Sequence, residues 1–340
     1  MSARVQCGWA NKPTDAVTAF ADHGQIIDRQ EQPAGWNKLP FGGVSCLISG
    51  DVPDLGGPMR LAIPAAACVF LAIPAQAQDS QSEDLMAGSI YDGDYLSVGV
   101  GVGYGPSYDG SDDYVAFPAP LVQGSLGGIG ISPRGAGLAL DFIPDADEGI
   151  SFDGGIAARV RANRARQIKD PVVYAAGKLD IAVEVGPTVG ISIPKVLHGY
   201  DSLSFTVDTR WDVAGAHDGM VIEPSITYFT PLSLGMAASL TLSAEYGDGS
   251  FRDYYYSVSP AQSLASGLPL YQANGGGFNK AGATLFFGYD LDGDLRNGGW
   301  ALVGIGGYSR MLGDAKASPY VALRGSPDQF FTAFGVGYTF

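Results

Sequence analysis

The last stretch of the chain constrains its fold more than any other feature. From Phe330 to the end, one set of alternate residues is Phe330, Thr332, Phe334, Val336, Tyr338 and Phe340. The interleaved set is Phe331, Ala333, Gly335, Gly337 and Thr339. Neighbouring side chains of a strand point to opposite faces, so this segment sets a broad apolar face against a face of mostly small residues. The pattern recurs upstream. Ile150, Phe152, Ile156 and Val160 alternate with Ser151, Asp153, Arg159 and Arg161. Leu203, Phe205, Val207, Trp211 and Val213 alternate with Ser204, Thr206, Asp208, Arg210 and Asp212, and Leu240 and Leu242 alternate with Ser239, Thr241 and Ser243. Leu179, Ile181, Val183 and Val185 alternate with Asp180 and Glu184 in the same way.

In a water-soluble sandwich the polar faces would be the outside. Here the strands are too many and helical periodicity is missing, so an inverted arrangement fits better, with apolar faces outward to lipid and small or polar faces inward. Composition agrees: 49 Gly, 17 Tyr and 16 Phe, with only 16% charged residues. Past the start of the chain no run of about 18 apolar residues could form a spanning helix, which leaves a closed barrel as the way to satisfy backbone groups in lipid. The expected fold is therefore all-β, a transmembrane antiparallel up-and-down barrel of about twelve strands. These lie near 95–104, 114–123, 127–133, 136–142, 149–161, 177–190, 202–213, 219–229, 235–247, 278–290, 299–310 and 329–340. Ten strands is the alternative, because the connection at Pro133-Arg134-Gly135 is tight. An even count puts both barrel ends on the periplasmic side. Turns at 143–148, 191–201, 230–234 and 291–298 are then inner, and the long segments 162–176, 248–277 and 311–328 are outer loops.

Residues 59–77 read as a cleavable secretory signal: Arg60, an apolar core from Leu61 to Ile73, and Ala75-Gln76-Ala77 before a polar Gln78-Asp79-Ser80. The reading divides the chain into an upstream extension from an early start, 1–58, the signal, a periplasmic segment, 78–94, and the barrel, 95–340. Cys7, Cys46 and Cys68 all precede residue 78, so the exported part has no thiol for a disulfide, metal site or nucleophile.

Three stretches carry a family resemblance. They are Tyr254 to Gln272, including Ser259-Pro260-Ala261-Gln262 and Ser266-Gly267-Leu268-Pro269; Tyr308 to Ala315 followed by Ala317-Ser318-Pro319; and the closing Gly335-Val336-Gly337-Tyr338-Thr339-Phe340. Together they resemble the MipA/OmpV family of MltA-interacting outer-membrane proteins over about 95–340. The resemblance implies a non-enzymatic barrel of the Gram-negative outer membrane with a structural or scaffolding role, linking a lytic murein transglycosylase to a murein synthase. It implies no catalytic residue and no cofactor.

The residues themselves say little about chemistry. A barrel hydrolase needs a histidine beside a nucleophile. After residue 78 only His198 and His217 remain, and no nucleophile neighbours either in sequence; His217 reads as a solvated turn residue beside Asp212 and Asp218. Asp290-Leu291-Asp292-Gly293-Asp294 lacks the Gly and distal acid of a calcium loop, because Leu295 and Ala301 stand there. Arg159, Arg161, Arg164, Arg166 and Lys169 form a basic run rising to the outer leaflet, where lipopolysaccharide phosphates are candidate partners. The competing reading is a solvated loop. Tyr338 and Phe340 are the candidate barrel-assembly signal. A net charge of −15 argues against nucleic acid. Acids and bases share the expected lumen: Asp153, Asp180, Glu184, Asp208, Asp212, Glu223 and Glu245 against Arg159, Arg161 and Arg210. Opposite charges there can brace and narrow the bore. The long loop 248–277 is too apolar for a free tail and is expected to fold over or into the outer mouth. A narrow diffusion channel for small solutes and a surface adhesin remain the alternatives to the scaffold.

Overall fold

The computed structural model describes residues 88–146 and 149–340. The upstream extension, the signal at 59–77 and most of the segment 78–94 lie outside these residues. Thirteen strands follow: β1 (Tyr95–Pro106), β2 (Tyr114–Pro118), β3 (Leu121–Leu126), β4 (Ile129–Pro133), β5 (Gly137–Asp141), β6 (Ser151–Arg161), β7 (Ala182–Pro194), β8 (Ser202–Asp212), β9 (Met220–Ser233), β10 (Met236–Gly247), β11 (Gly277–Asp290), β12 (Gly299–Met311) and β13 (Asp328–Thr339). Neighbours pair antiparallel, and β13 pairs back onto β1 to close the barrel. Twelve strands make the ring. The extra one, β2, holds the outer half of β1 in the register that β3 keeps along the inner half. Pro118 and Pro120 interrupt what would be one long strand, since proline has no N–H for the ladder.

The ten-strand alternative falls because β4 and β5 form a true hairpin, with Gly135 at φ +60° in its turn. The turn from β3 to β4 is Gly127-Gly128, both at positive φ (59° and 78°), as a two-residue hairpin of this twist requires. One boundary moves substantially: β7 begins at Ala182 instead of 177, and Leu179 and Asp180 belong to the loop before it.

Alternation places the expected apolar residues outside. Val100, Phe152, Leu285, Leu302 and Phe334 are all exposed on the outer wall. Inside, β1, β12 and β13 approach each other through glycine. Phe117 and Phe331 turn inward over their cross-strand partners Gly103 and Gly307. A Cβ on either glycine would fall about 2 Å from the ring, so large inner side chains here depend on the missing ones opposite. The seam is closed by the ladder, by the Ser97–Thr339 hydroxyl pair at 2.7 Å and by the Phe340 N–H donating to Leu96 O.

Both described barrel ends lie at one rim, where every connection is short. The opposite rim carries the longer loops and five short helices: α1 (Pro171–Ala175), α2 (Gly249–Tyr256), α3 (Pro260–Ser266), α4 (Gly313–Ala317) and α5 (Pro319–Ala322). Their ends are written in the sequence. Asp248 caps α2 through the Phe251 N–H, and Ser259 and Gln262 cap α3 reciprocally, with Gly267 ending it at φ +76°.

Candidate functional site: the capped mouth and the lattice beneath it

The five helices close over the outer rim. Phe251, Tyr255 and Tyr256 of α2, Ala315 of α4 and Val321 of α5 pack with Val221 and Met311 from strand ends into one buried cluster. Tyr108, Val173, Val258, Leu268 and Tyr320 make a second cluster beside it. The expected inward folding of loop 248–277 is what the structure shows. Its aromatics are the core of a cap built jointly with the loops 107–113, 162–181 and 312–327.

Burial fixes the chemistry of this cap. It pushes the phenols of Tyr108, Tyr255 and Tyr256 well above their usual range. It also draws the Arg164 guanidinium down, with Tyr320 and Tyr108 acting against that. Arg164 lies 3.6 Å over the Tyr320 ring and donates to the Tyr255 carbonyl. At the edge of the cap Asp170 caps α1 through the Val172 and Val173 N–H groups and takes the Arg324 guanidinium at 2.7 Å. Burial opposes its charge, but Arg324 and the two backbone donors outweigh burial and hold the carboxyl below the ordinary range.

Directly below, charged side chains cross the bore. Arg161 at the outer end of β6 bonds Glu184 of β7 and reaches Glu245 of β10 at 2.9 Å. Arg159 pairs with Glu223 of β9 at 3.0 Å, Arg210 of β8 with Asp208 at 3.0 Å and Glu223 at 2.6 Å, and Arg134 with Asp208 at 3.2 Å. Lys280 of β11 and Asp109 from the first outer loop close the lattice at 3.1 Å. The β6-to-β10 bond is decisive, because those strands are not neighbours. A side chain linking them spans the lumen instead of decorating its wall. Arg161 also lies 4.8 Å from the Phe251 ring centre, so one guanidinium joins the lattice to the cap from below.

Several expected positions are corrected. His217 is not solvated: it is 4% exposed, packed edge-on against Phe251, in the turn beneath α2. Its Nδ1 accepts the Gly219 N–H at 3.0 Å, so Nε2 carries the proton and faces Glu184 at 3.4 Å. Asp180 lies in the loop, exposed, its N–H on the Tyr254 hydroxyl, and Asp212 spends its carboxylate on the N–H groups of Ala214, His217 and Asp218. Of the basic run, Arg159 and Arg161 point into the lumen and Arg164 into the cap, which removes all three from a lipid-facing surface. Arg166 and Lys169 stay exposed. Tyr338 packs against Trp300 and Phe340 on the outer wall at the inner rim. His198 and the Asp290 turn lie at that rim, the Asp290 carboxylate accepting the N–H groups of residues 292, 293 and 294. Asp109, Arg134 and Lys280 were not foreseen. Lys280 enters the lattice beside a register shift between Glu245 and Tyr246, which no alternation pattern displays.

The family model described as MltA-interacting protein MipA matches residues 98–340. No curated protein matches the chain. Among solved structures, an outer membrane channel from Pseudomonas putida F1 is 13% identical, with a TM-score of 0.36, 76% of this chain covered and 99% of that one. A toluene transporter from Ralstonia pickettii is 9% identical, with a TM-score of 0.29 and coverage of 73% and 89%.

Proposed function

This chain belongs to the MipA family, and from that premise we propose that it is a non-enzymatic scaffold barrel of the outer membrane that does not serve as an open pore. One observation carries the reading: the bore is crossed by an ion-pair lattice and roofed by a cap with its own apolar core. A conduit needs a continuous polar path. A scaffold needs a rigid body, which cross-bracing supplies. The family is described as MltA-interacting, which supports a murein transglycosylase as partner; a murein synthase as the second partner is what the family resemblance implies. The rim holding both barrel ends is then the periplasmic side, where such enzymes would dock.

The test is planar-bilayer recording of the refolded barrel together with retention of purified murein transglycosylase on it. The scaffold reading expects no steady single-channel current and saturable retention. Steady current without retention refutes it in favour of a diffusion channel. The mature chain on this proposal starts at Gln78, which amino-terminal sequencing of membrane-extracted protein checks.

A second reading has its own observation. On the cap, Leu264 is 90% exposed, Leu270 64% and Tyr174 54%, an apolar surface suited to adhesion. Surface-binding assays with Leu264→Ser and Leu270→Ser separate it from the scaffold, which predicts no change in transglycosylase retention. Arg166 and Lys169 are the part of the basic run left to meet lipopolysaccharide phosphate.

A further inference from the structure

The outer wall carries an apolar groove of about 780 Å³ across β7, β8, β9 and β10. Strand register shows how it is made. Val189, Val207 and Pro224 stand side by side on the outward face, and Pro224 adjoins Ala244. This row is the floor. The next outward row toward the inner rim holds Phe205, Ile226 and Leu242, and the row toward the outer rim holds Ile222 and Tyr246. The small floor residues beside the larger Phe205, Ile226 and Leu242 leave a shallow, open trough. Pro224 is part of the floor, and Pro187 precedes Val189 on β7. Ladder pairing lapses beside Pro187 between β7 and β8, and beside Pro224 between β9 and β10, where proline offers no N–H.

The floor row has a direction. Beyond the groove's edge at Ala244 the same register row continues to Ala281 of β11 and then to Arg310 of β12, which do not line the groove. Val189 lies mid-strand, whereas Arg310 is the next-to-last residue of its strand at the capped rim. From Val189 to Arg310 the row crosses five strand spacings, about 24 Å. It therefore climbs from the apolar band to a half-exposed guanidinium, whose only ion pair among the described residues is with Asp328 at 2.7 Å.

We infer that this trough binds one acyl chain of an outer-leaflet lipid, with the phosphorylated head of lipid A held at Arg310. A flexible hydrocarbon chain can lie along a shallow apolar trough. A second barrel cannot, because two convex walls touch along a line and leave the floor uncovered. Arginine at the upper end suits a phosphate through charge-assisted bonds. The apolar contacts and this cation together match a lipid carrying both chains and phosphate.

The experiment is native mass spectrometry of the mature barrel in mild detergent, titrated with purified bis-phosphorylated lipid A. Wild type is expected to retain one lipid A. Ala244→Phe fills the floor and should weaken retention at least tenfold, and Val207→Phe serves equally if the first variant fails to show folded mobility on unheated gels. Ala238→Phe, outward on the same strand but outside the groove, should bind as wild type does. Arg310→Gln should lower retention of lipid A while leaving a monophosphorylated form less affected. A wild-type barrel that retains no lipid A refutes the inference, as does equal retention by the floor variants and Ala238→Phe. A dimer that Ala244→Phe dissolves would make a second copy the occupant and overturn it as well.

Discussion

Arg161→Met tests whether the lattice braces the barrel. Arg161 is 4% exposed and lies between Glu184 and Glu245, themselves 0% and 2% exposed. Without it, Glu184 keeps the His217 Nε2 at 3.4 Å and Arg210 at 3.5 Å, and Glu245 keeps Lys280 at 3.8 Å and Arg159 at 3.9 Å. Those contacts are longer than the bonds lost. Removing one partner from a buried ion pair costs about 3–5 kcal/mol. The lost contact with the Phe251 ring adds about 1 kcal/mol, and the apolar methionine returns a similar amount by packing there. A net loss of about 4 kcal/mol is expected. With a urea slope of about 2–3 kcal/mol per M, the unfolding midpoint should drop by about 1.3–2 M. Tryptophan fluorescence of the barrel in lipid vesicles, read beside gel mobility with and without heating, measures it. The stranded carboxylates cause most of the loss, so Glu245→Gln in the Arg161→Met background should restore part of it. A double-mutant cycle should therefore give a coupling of about 2 kcal/mol. A single-variant loss below about 1 kcal/mol, with no coupling, would mean that water already solvates these charges. The bore would then be open, and the braced-scaffold argument would fail with it.

Asp170 gives a pH prediction. Its carboxyl is held below the ordinary range, so its contribution to the cap is complete above the unfolded carboxylate value of about 3.9 and is lost as pH falls through the lowered folded value. Amide protection in residues 172–176, taken relative to intrinsic exchange at the same pH, should fall under that acidification in wild type, and at neutral pH in Asp170→Asn; unchanged protection in the variant would contradict the cap. Gly307→Ala should cost about 1–3 kcal/mol by overpacking, since its Cβ would lie 2.1 Å from the Phe331 ring, and Phe331→Leu should recover much of it in the same unfolding assay. Deleting Phe340 removes both the outward aromatic beside Tyr338 and the N–H bonded to Leu96. The folded fraction on unheated gels should fall, and an unchanged fraction at low and high expression would count against the assembly role.

The barrel was legible because lipid imposes a two-residue period on any strand that crosses it. Phe330 to Phe340 show that period without interruption, and the structure keeps their faces as read. The period failed where lipid stops acting. Leu179 and Ile181 continue the alternation of β7 on paper, yet they belong to a loop whose core is other loops. The same limit hid His217. A histidine between Asp212 and Gly219 looks like a solvated turn until α2, some thirty residues later in the sequence, lays Phe251 against it. The basic run failed differently. Arg159 and Arg161 share a face two residues apart, as a strand demands, but Arg164 follows the strand's end, and only the positions of Tyr320 and Tyr255 decide that it turns inward.

Cap and lattice depend on each other physically, and this argues for a rigid body more strongly than either does alone. The lattice needs a dry roof: Glu184 and Glu245 bind Arg161 strongly only where water is kept out, since the same pairs in solvent contribute little. The cap needs a charged floor, because Phe251 and Tyr255 rest on the Arg161 guanidinium. Opening the cap would hydrate the lattice, and loosening the lattice would remove the cap's support. A gate for small solutes works best when its movement costs little. Here movement would break ion pairs linking β6, β7 and β10 at the same time as it exposed the buried Tyr255 and Tyr256. That coupling makes a flickering pore costly, as the proposed scaffold role requires.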